Sequence, residues 1–361
     1  MRYPKVVRDK GKVSGDAAEN FTCMKPPTEP GQDSNGGLVF NGFCSWLNRP
    51  TRCGVRAGSE TCFGGNFGAA ASAASVLGLR QDQVSMVLSY AGQQASGVTY
   101  WKRDPEHVEK AFVFGGMPTR NGVTAALFVQ SGFTGVPDVF SGESNFLVAF
   151  SPHPQPEKLT DGLGDHYEIM QTNIKRFAIG SPIQAPLDAV LLIREKHNLR
   201  PQDVERIAVH LPPGPTAGGR VVDNRNMPDV NLQYILAVGL LDGDLSVEAA
   251  HSYKRMNDPE VVRLRQMVSV VLDPAIDTTK TTRQAVVYVT TKGGTVLKEP
   301  VLHVQGTAGN PMTNEEVEKK CIDLFESVLG RERSLRLVEK FWNLERVRSM
   351  REFRLLLTAG S

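Results

Sequence analysis

The sequence lacks any uninterrupted apolar run of about 18 residues, the length that a membrane-spanning helix needs. It also lacks a charge excess of either sign, because 41 Lys and Arg residues face 39 Asp and Glu residues and leave a net charge of +2. This balance argues against nucleic acid or an acidic membrane as a partner. With 40% hydrophobic and 22% charged residues, the composition is typical of a globular protein.

Cysteine is scarce, and its pattern argues against a zinc site and a disulfide framework. The five cysteines, at positions 23, 44, 53, 62 and 321, form no C-x-x-C pair and have no histidine close by. We therefore expect free thiols in a reducing compartment, with a disulfide among the four N-terminal cysteines as the open alternative. The N-terminus has no apolar signal segment, and Asp9, Asp16 and Glu19 argue against a mitochondrial presequence, so the expected location is the cytoplasm.

The first half of the chain is predicted to be a turn-rich arm followed by helices. Residues 1–54 include the run KPPTEPGQDSNGG, which has neither helical nor strand periodicity and indicates a poorly organised N-terminal arm. Helices are predicted at residues 66–79, 81–92 and 123–132. The first of them, NFGAAASAASVLGL, consists largely of small residues and must pack very closely against its neighbours.

The second half mixes helices and strands. Strands are predicted at residues 204–211 and 268–272, and a hairpin joins predicted strands at residues 285–291 and 296–304. Helices are predicted around them and towards the C-terminus, at residues 181–198, 232–242, 259–268 and from 314 onwards. Thr313 is the predicted N-cap of the last helical region, because Glu316 follows three residues later as in a capping box.

The order helical, mixed and helical indicates two domains, which also suits a length of 361 residues. The simplest topology is an α fold with an inserted α+β domain, in which the C-terminal helices return to the first, all-helical domain. A cleft between two such domains is the default position of a binding site.

A series of segments from about residue 55 to the end carries a further signal. They are NFGAAASAASVLGL, AGQQASG, GGMPTRNGVTAAL, GFTGVPDVFSGESNFL, KRFAIGSPIQAPLDAVL, DVERIAVHLP, LAVGLLDG, NDPEVVRL, VVLDP, GNPMTNEEVEKK and FWNLERV. In content and in order they resemble the MmgE/PrpD family. That family includes 2-methylcitrate dehydratase, cis-aconitate decarboxylase and an iminodisuccinate epimerase.

The resemblance implies a large all-helical domain, at residues 55–172 and 306–361, and a smaller α+β lid domain at residues 173–305. It also implies a homodimer that uses no metal and no organic cofactor and acts on small polycarboxylates. Dehydration, decarboxylation and epimerisation of such acids all develop negative charge beside a carboxylate. The site must therefore hold carboxylates with cations and move one proton.

Lys175 is the strongest catalytic candidate, because in KRFAIGSPIQ it falls on the lysine of the family pattern K-x-[FY]-P-x-[HC]-x-x-x-H. A buried lysine there would bind a substrate carboxylate or, with a lowered pKa, transfer a proton, and the alternative is a solvated lysine before a helix. The chain departs from the pattern at Ala178, at Gly180 in place of His or Cys, and at Gln184 in place of the last His. Gln184, Ser181 and the backbone of Gly180 are expected to bind substrate.

A second family signature, a G-F-H-x-T segment, is altered in VRAGSETCFGGNFG. Its histidine falls at Gly58 or Ser59, while Thr61 keeps the hydroxyl and Arg56 is a candidate anion binder. The Ser59–Thr61 stretch is expected to orient substrate. The acidic D-F-D-D-type segment that family members carry further towards the N-terminus has no counterpart in residues 1–54, so the chain is interpreted as a short or divergent form.

A third signature, a lysine before a G-x-A-A-R-N-G segment, lies in HVEKAFVFGGMPTRNG. Lys110 stands one residue from the aligned position and is a second catalytic candidate, with a surface helix charge as the alternative. Arg120 lies close to the match and is expected to bind substrate. His107, three residues before Lys110 on the same predicted helical face, is a candidate replacement for a lost base.

The first hypothesis is a cofactor-independent lyase, a dehydratase or a decarboxylase, that acts on a small di- or tricarboxylate, or on a larger derivative of one, through α-proton chemistry in the cleft between the domains. The second is an isomerase or epimerase on the same scaffold, which needs only reversible α-proton exchange. The third is a catalytically silent homologue that binds a ligand or a partner subunit, and the loss of proton-transfer residues favours it.

Overall fold

A computed structural model describes residues 61–358, apart from residues 99–103, 105–107, 152–153, 164, 166, 168–171, 214–221 and 278–282. The chain divides into two compact units, and the boundary between them falls between residues 171 and 172. The predicted N-terminal arm, residues 1–54, lies outside the described residues.

The first unit is helical in its described part. Its α-helices are α1 (Thr61–Val76), α2 (Gln81–Gln93), α3 (Val108–Ala111), α4 (Met117–Gln130) and α5 (Phe146–Phe150), with a 3-10 turn at Pro156–Leu159. Their buried faces form one apolar core, to which Phe67, Ala70, Leu88, Ala125 and Leu147 belong.

The predicted close packing of the small-residue helix is confirmed by α1 and α4. A β-carbon added at Gly122 of α4 would lie 2.6 Å from the backbone nitrogen of Ala70 and 2.8 Å from the β-carbon of Ala69, both in α1. Real β-carbons do not approach other atoms this closely, so the two helix backbones touch at Gly122 and only glycine fits there. Asn66 of α1, which is fully buried, donates from its side-chain nitrogen to the carbonyl of Ala91 of α2 at 2.7 Å.

The sequence predicted the fourth helix of this unit only from residue 123, whereas the structure starts α4 at Met117. A helix break is indicated in the sequence by Gly115, Gly116 and Pro118, because proline lacks the N–H that a helix interior needs. The chain instead passes from α3 into α4 through a π-helical turn, Phe112–Gly116, which keeps it helical. Such turns recur at functional sites.

The second unit contains a four-stranded mixed sheet with the order β2-β1-β3-β4. Its strands are β1 (Val204–Leu211), β2 (Val268–Leu272), β3 (Ala285–Thr291) and β4 (Val296–Val301). Strand β1 runs parallel to β2 and antiparallel to β3, and β3 and β4 form the predicted hairpin. Both β1 and β2 have the predicted bounds, while β4 ends three residues before the predicted 304.

Helices of the second unit cover the sheet and continue to the C-terminus. They are α6 (Gln184–His197), α7 (Leu232–Asp242), α8 (Val247–Ala250), α9 (Tyr253–Met256), α10 (Pro259–Arg265), α11 (Asn314–Leu329), α12 (Arg331–Trp342) and α13 (Arg354–Leu357). Helix α6 packs against β3, β4 and α7. Every residue of α7 from Leu232 to Leu240 is buried, which explains its unbroken apolar sequence.

The C-terminal helices begin with the predicted capping box, which is confirmed. The hydroxyl of Thr313 accepts from the backbone N–H of Glu316 at 3.2 Å, and a carboxylate oxygen of Glu316 accepts from the backbone N–H of Thr313 at 2.8 Å. Leu337, Phe353 and Leu356 form a small core of their own.

The predicted combination of a helical region and an α+β region is confirmed. Its arrangement as a lid inserted into a helical domain that also takes residues 306–361 stays a prediction. Cys321 is a free thiol, as expected, and every helix in the described residues is too short or too polar to span a bilayer.

Replacing Gly122 by alanine is expected to destabilise the first unit, because the new β-carbon would press on the backbone of α1. Overpacking of this kind costs about 1 to 3 kcal/mol of unfolding free energy, measured by chemical denaturation followed by circular dichroism. Gly115→Ala is the matched control, because a β-carbon there has no neighbour within 4 Å. The control should be neutral or mildly stabilising, and equal stability of both variants would contradict the close helix contact.

Candidate functional site

The candidate residues fall into three groups in the structure. Arg56, Ser59 and His107 lie outside the described residues, and Thr61 begins α1 but its side chain is not among those described. Lys110 and Arg120 belong to the first unit. Lys175, Gly180, Ser181 and Gln184 come together in the second unit, within the loop 172–180 and the start of the helical segment that follows it.

In the first unit, Lys110 is half-buried in the short helix α3, and Arg120 is exposed on α4, beyond the π-helical turn. The guanidinium of Arg120 donates to the side-chain oxygen of Asn121 from Nε at 3.2 Å and from Nη2 at 3.0 Å. It also lies over the ring of Phe112, 5.9 Å from the ring centroid. Arg120 is therefore a held cation at the surface, a suitable partner for an anion.

Asn121, which accepts from Arg120, is itself held by α2, because its side-chain nitrogen donates to the carbonyl of Gln94 at 3.0 Å. Gln94 in turn donates from its side-chain nitrogen to the carbonyl of Asn121 at 3.2 Å. These reciprocal bonds fix the end of α2 against α4, and with it the helical turn that carries Arg120.

In the second unit, Lys175 lies at the surface of the loop 172–180, which differs from the expected buried lysine. Its ammonium group donates to the carbonyl of Ile179 at 3.0 Å, so the side chain folds back along its own loop. Its backbone carbonyl accepts a hydrogen bond from the ammonium group of Lys320 in α11. The ammonium group of Lys320 therefore contacts the backbone of the loop that carries Lys175.

The loop is anchored at its start by Gly306. The backbone N–H of Ile174 donates to the carbonyl of Gly306 at 2.8 Å, and the N–H of Gly306 donates to the carbonyl of Asn310 at 2.7 Å. Gly306 has a φ of +93°, and a β-carbon there would collide with the carbonyl oxygen of Ile174. Glycine is required at this position both by its backbone angle and by the close approach of the two backbone segments.

The loop is anchored at its end by Gln184, the residue in place of the family's last histidine. Gln184 is buried at the N-terminus of α6, with 3% of its surface exposed. Its side-chain nitrogen donates to the carbonyl of Phe177 at 2.9 Å, and its side-chain oxygen accepts from the N–H of Phe177 at 3.3 Å. The amide predicted to bind substrate therefore holds the backbone of the Lys175 loop.

Gly180 and Ser181 complete the turn into α6. The N–H of Gly180 donates to the carbonyl of Asp229 at 2.8 Å, so this donor is engaged within the protein. A β-carbon at Gly180 would have its nearest neighbour at 3.5 Å, which means that a larger residue fits here. Ser181 is half-buried at the first position of the 3-10 turn Ser181–Ile183.

A polar network that the sequence reasoning missed lies behind the loop. Arg176 donates from Nη1 to the side-chain oxygen of Gln305 at 2.8 Å, and the backbone N–H of Gln305 donates to Oδ2 of Asp188 at 3.1 Å. The side-chain nitrogen of Gln305 donates to Glu316 at 2.6 Å. One signal was available, because Asp188 follows Gln184 by one helical turn and so shares its face of α6.

Two groups of this region have shifted pKa values. Burial raises the pKa of the Asp188 carboxyl, against the opposing effects of the Gln305 hydrogen bond and the charge of Arg176. Partial burial lowers the pKa of Lys320, against the opposing effect of Cys321. The shift is in the direction that partial burial imposes on an ammonium group, because burial disfavours its charged form.

The arrangement offers cations for carboxylate binding at the Lys175 loop and at Arg120. In the part of the chain that the structure describes, no group of three or more His, Cys, Asp or Glu side chains is placed to hold a metal ion. Of the described histidines, His210 in β1 hydrogen-bonds through Nδ1 to Asp273 at 2.9 Å and packs on the ring of Tyr288, which is a sheet contact.

Comparison with known proteins places these residues in a family context. The family model of the MmgE/PrpD N-terminal domain matches residues 49–159, and the family model of the MmgE/PrpD C-terminal domain matches residues 177–344. A similar curated protein is the cis-aconitate decarboxylase-like protein oryM of Aspergillus oryzae, which is 24% identical over 318 residues. The alignment covers 81% of this chain and 64% of that protein, so the chain spans less than two thirds of the relative's length.

Replacing Gln184 by leucine is expected to lower the unfolding free energy by about 2 kcal/mol or more, because the N–H and carbonyl of Phe177 lose their partner in a buried setting. Hydrogen exchange of residues 172–180 should accelerate as well. Gln266→Leu, at an exposed position of the same unit, is the control and should change neither measurement. Unchanged exchange in the Gln184 variant would contradict its role as the loop anchor.

Asp188→Asn is expected to raise the melting temperature near pH 7, because asparagine keeps an acceptor for Gln305 and removes a buried charge. A raised carboxyl pKa means that the folded protein binds the proton more tightly than the unfolded chain. The unfolding free energy of the wild type therefore falls as the pH rises from 3.8, the ordinary pKa of an aspartate, through the raised pKa of Asp188 in the folded protein.

The advantage of the asparagine variant should accordingly shrink as the pH is lowered towards 4 in a melting series. Asp244→Asn, an exposed carboxyl of the same unit, should show no such trend. A variant that is less stable than the wild type by the same amount at every pH would contradict the assigned cost of burial.

Proposed function

Because the chain belongs to the MmgE/PrpD family, we propose that it is a cofactor-independent lyase, a dehydratase or decarboxylase, that acts on a small di- or tricarboxylate. The observation that carries the proposal is the Lys175 loop, which falls on the family's lysine pattern and is anchored at both of its ends. A similar curated protein is described as cis-aconitate decarboxylase-like, which supports the same class of reaction.

Decarboxylation and dehydration both require a cation beside the developing negative charge and one group that carries a proton. In a decarboxylation the bond to the leaving carboxylate breaks, carbon dioxide departs, and the electron pair left on the α-carbon takes up a proton. In a dehydration a base removes the α-proton, the carbon–oxygen bond breaks, and the hydroxyl leaves as water. Either course is helped by an ammonium group that stabilises the carbanion-like charge.

Lys175 and Lys320 are the residues we propose for these two tasks. Lys175 presents an exposed ammonium group on a loop whose backbone is held in place, so it binds a carboxylate or the developing charge. Lys320 touches the same turn and has a lowered pKa, so it exchanges a proton more readily than an ordinary lysine. Lys110 and Arg120 are proposed as further carboxylate-binding residues of the first unit, with Ser181 as a hydroxyl donor to substrate.

One observation favours a second candidate, a catalytically silent homologue that binds a carboxylate ligand without converting it. Gly180 stands where the family has His or Cys and carries no proton-transfer group. Gln184 stands where the family has a second His, and its amide is engaged with Phe177. Under this reading, the cations bind ligand and no product forms.

Proton NMR in heavy water with citrate, 2-methylcitrate and cis-aconitate separates the two candidates. We expect new alkene signals or deuterium uptake with the wild type, and a decrease of roughly 10²-fold or more in rate with Lys175→Ala. Lys320→Met should also decrease the rate. Lys292→Ala removes an exposed lysine of the β3–β4 turn and should retain full activity, as the matched control.

Turnover that survives in Lys175→Ala would contradict the assigned role of this lysine. Ligand binding without turnover of any of the three acids, shown by saturation-transfer NMR and lost in Lys175→Ala, would instead favour the silent homologue.

A further inference from the structure

The four-stranded sheet of the second unit has two edges, which differ in their side chains. Strand β4 forms one edge and carries Lys298, Glu299 and Pro300. Charged residues and proline at an edge hinder pairing with a further strand. Strand β2 forms the other edge with the sequence VSVVL, which contains neither a charge nor a proline. The β2 edge is therefore open to pairing with another chain.

The backbone of β2 offers hydrogen-bonding groups along this edge, because β2 pairs only with β1 in the part of the chain that the structure describes. The N–H of Ile207 donates to the carbonyl of Met267, and the N–H of Asp273 donates to the carbonyl of Leu211, both at 2.8 Å. Backbone groups of a strand alternate between its two sides. The odd-numbered residues of β2 therefore face β1, and the even-numbered residues point their N–H and C=O groups away from it.

The accessible part of the open edge is short. Val268 is buried, with 7% of its surface exposed, and Pro274 has no N–H to donate. Between these limits, Val270 is half-buried and Leu272 is 38% exposed. A strand that pairs with this edge therefore has four backbone groups to satisfy, the N–H and C=O of Val270 and of Leu272.

A second β2 strand in antiparallel orientation satisfies all four groups. When Val270 lies opposite Leu272 of the second copy, the two residues exchange two hydrogen bonds, and the symmetry-related pair exchanges two more. The two-fold axis then passes beside Val271, which meets Val271 of the second copy. This central pair is of the non-hydrogen-bonded kind, in which side chains lie closest, so it covers an apolar side chain that is 38% exposed in the single chain.

Charge and closure favour a second copy as the occupant of this edge. The side chains of residues 270–272, which meet across the axis, are all Val or Leu, so identical strands come together without like charges opposite each other. The net charge of +2 is too small to keep two copies apart. Pairing through β2 leaves only β4 as an edge of the combined sheet, and its charges and proline hinder further addition. Assembly therefore stops at a closed two-fold dimer.

We propose that two copies of this chain dimerise through antiparallel pairing of their β2 strands about Val271, which joins their sheets into one sheet of eight strands. The interface uses none of the residues assigned to the lyase reaction, so the dimer does not rest on the proposed function. Because the paired segment is short, the dimer dissociates on dilution in the micromolar range.

Sedimentation velocity of the full chain over a concentration series tests the proposal. We expect a monomer–dimer equilibrium for the wild type. Val271→Lys brings two ammonium groups together at the axis and should weaken dimerisation by roughly tenfold or more. Val296→Lys adds the same charge at a valine of β4 that is 58% exposed, and as the matched control it should leave dimerisation unchanged.

Mixing the Val271→Lys and Val271→Asp variants should restore a dimer with one copy of each, because opposite charges then meet at the axis. Recovery of this mixed dimer also shows that both variants are folded.

Val271→Cys tests the register of the two strands. The Cα separation in a non-hydrogen-bonded antiparallel pair, about 4.5 Å, allows a disulfide, so this variant should form a covalent dimer on oxidation, read on a non-reducing gel. Val296→Cys is the control for the natural cysteines and should not form one. A wild type that stays monomeric, dimerisation that Val271→Lys leaves unchanged, or equal cross-linking of the two cysteine variants would each overturn the proposal.

Discussion

The pairing of the Gln184 side-chain amide with the backbone of Phe177 is the contact on which the loop of the candidate site in the second unit depends. A backbone N–H and a carbonyl that lie buried outside any helix or strand need partners, and one glutamine supplies both. Because Gln184 is the first residue of α6, the contact fixes the Lys175 loop to a helix that packs on the sheet. The position of the Lys175 backbone follows from this attachment.

The same contact shows what the departure from the family pattern means physically. A histidine at position 184 would carry an ionisable ring, whereas glutamine is a neutral amide that meets a donor and an acceptor at once. The substitution therefore removes a proton carrier and leaves a structural clamp. The proposal assigns proton transfer to lysines instead, and partial burial lowers the pKa of one of them, Lys320.

Much of the fold was predictable because it rests on local pattern. Strand β1 shows partial alternation and strand β2 is a short β-branched run, α7 is a continuous apolar helix, and the Thr313 capping box is a short-range signal. The start of α4 was not predictable in the same way. A proline and two glycines indicate a break locally, and the π-helical turn that overrides them is held by packing that sequence periodicity does not show.

The sequence by itself determined the family, the helical and α+β character of the two regions, and Lys175 as a candidate, because these depend on ordered motifs and on periodicity. Only the tertiary structure decided that Gln184 faces Phe177, that Lys320 reaches the Lys175 turn, and that Asp188 and Arg194 line one cavity. Lys320 and Lys175 lie 145 residues apart in the sequence. Asp188 and Arg194 both belong to α6 but differ in burial. Such contacts depend on the folded path of the chain, which local residue patterns do not specify.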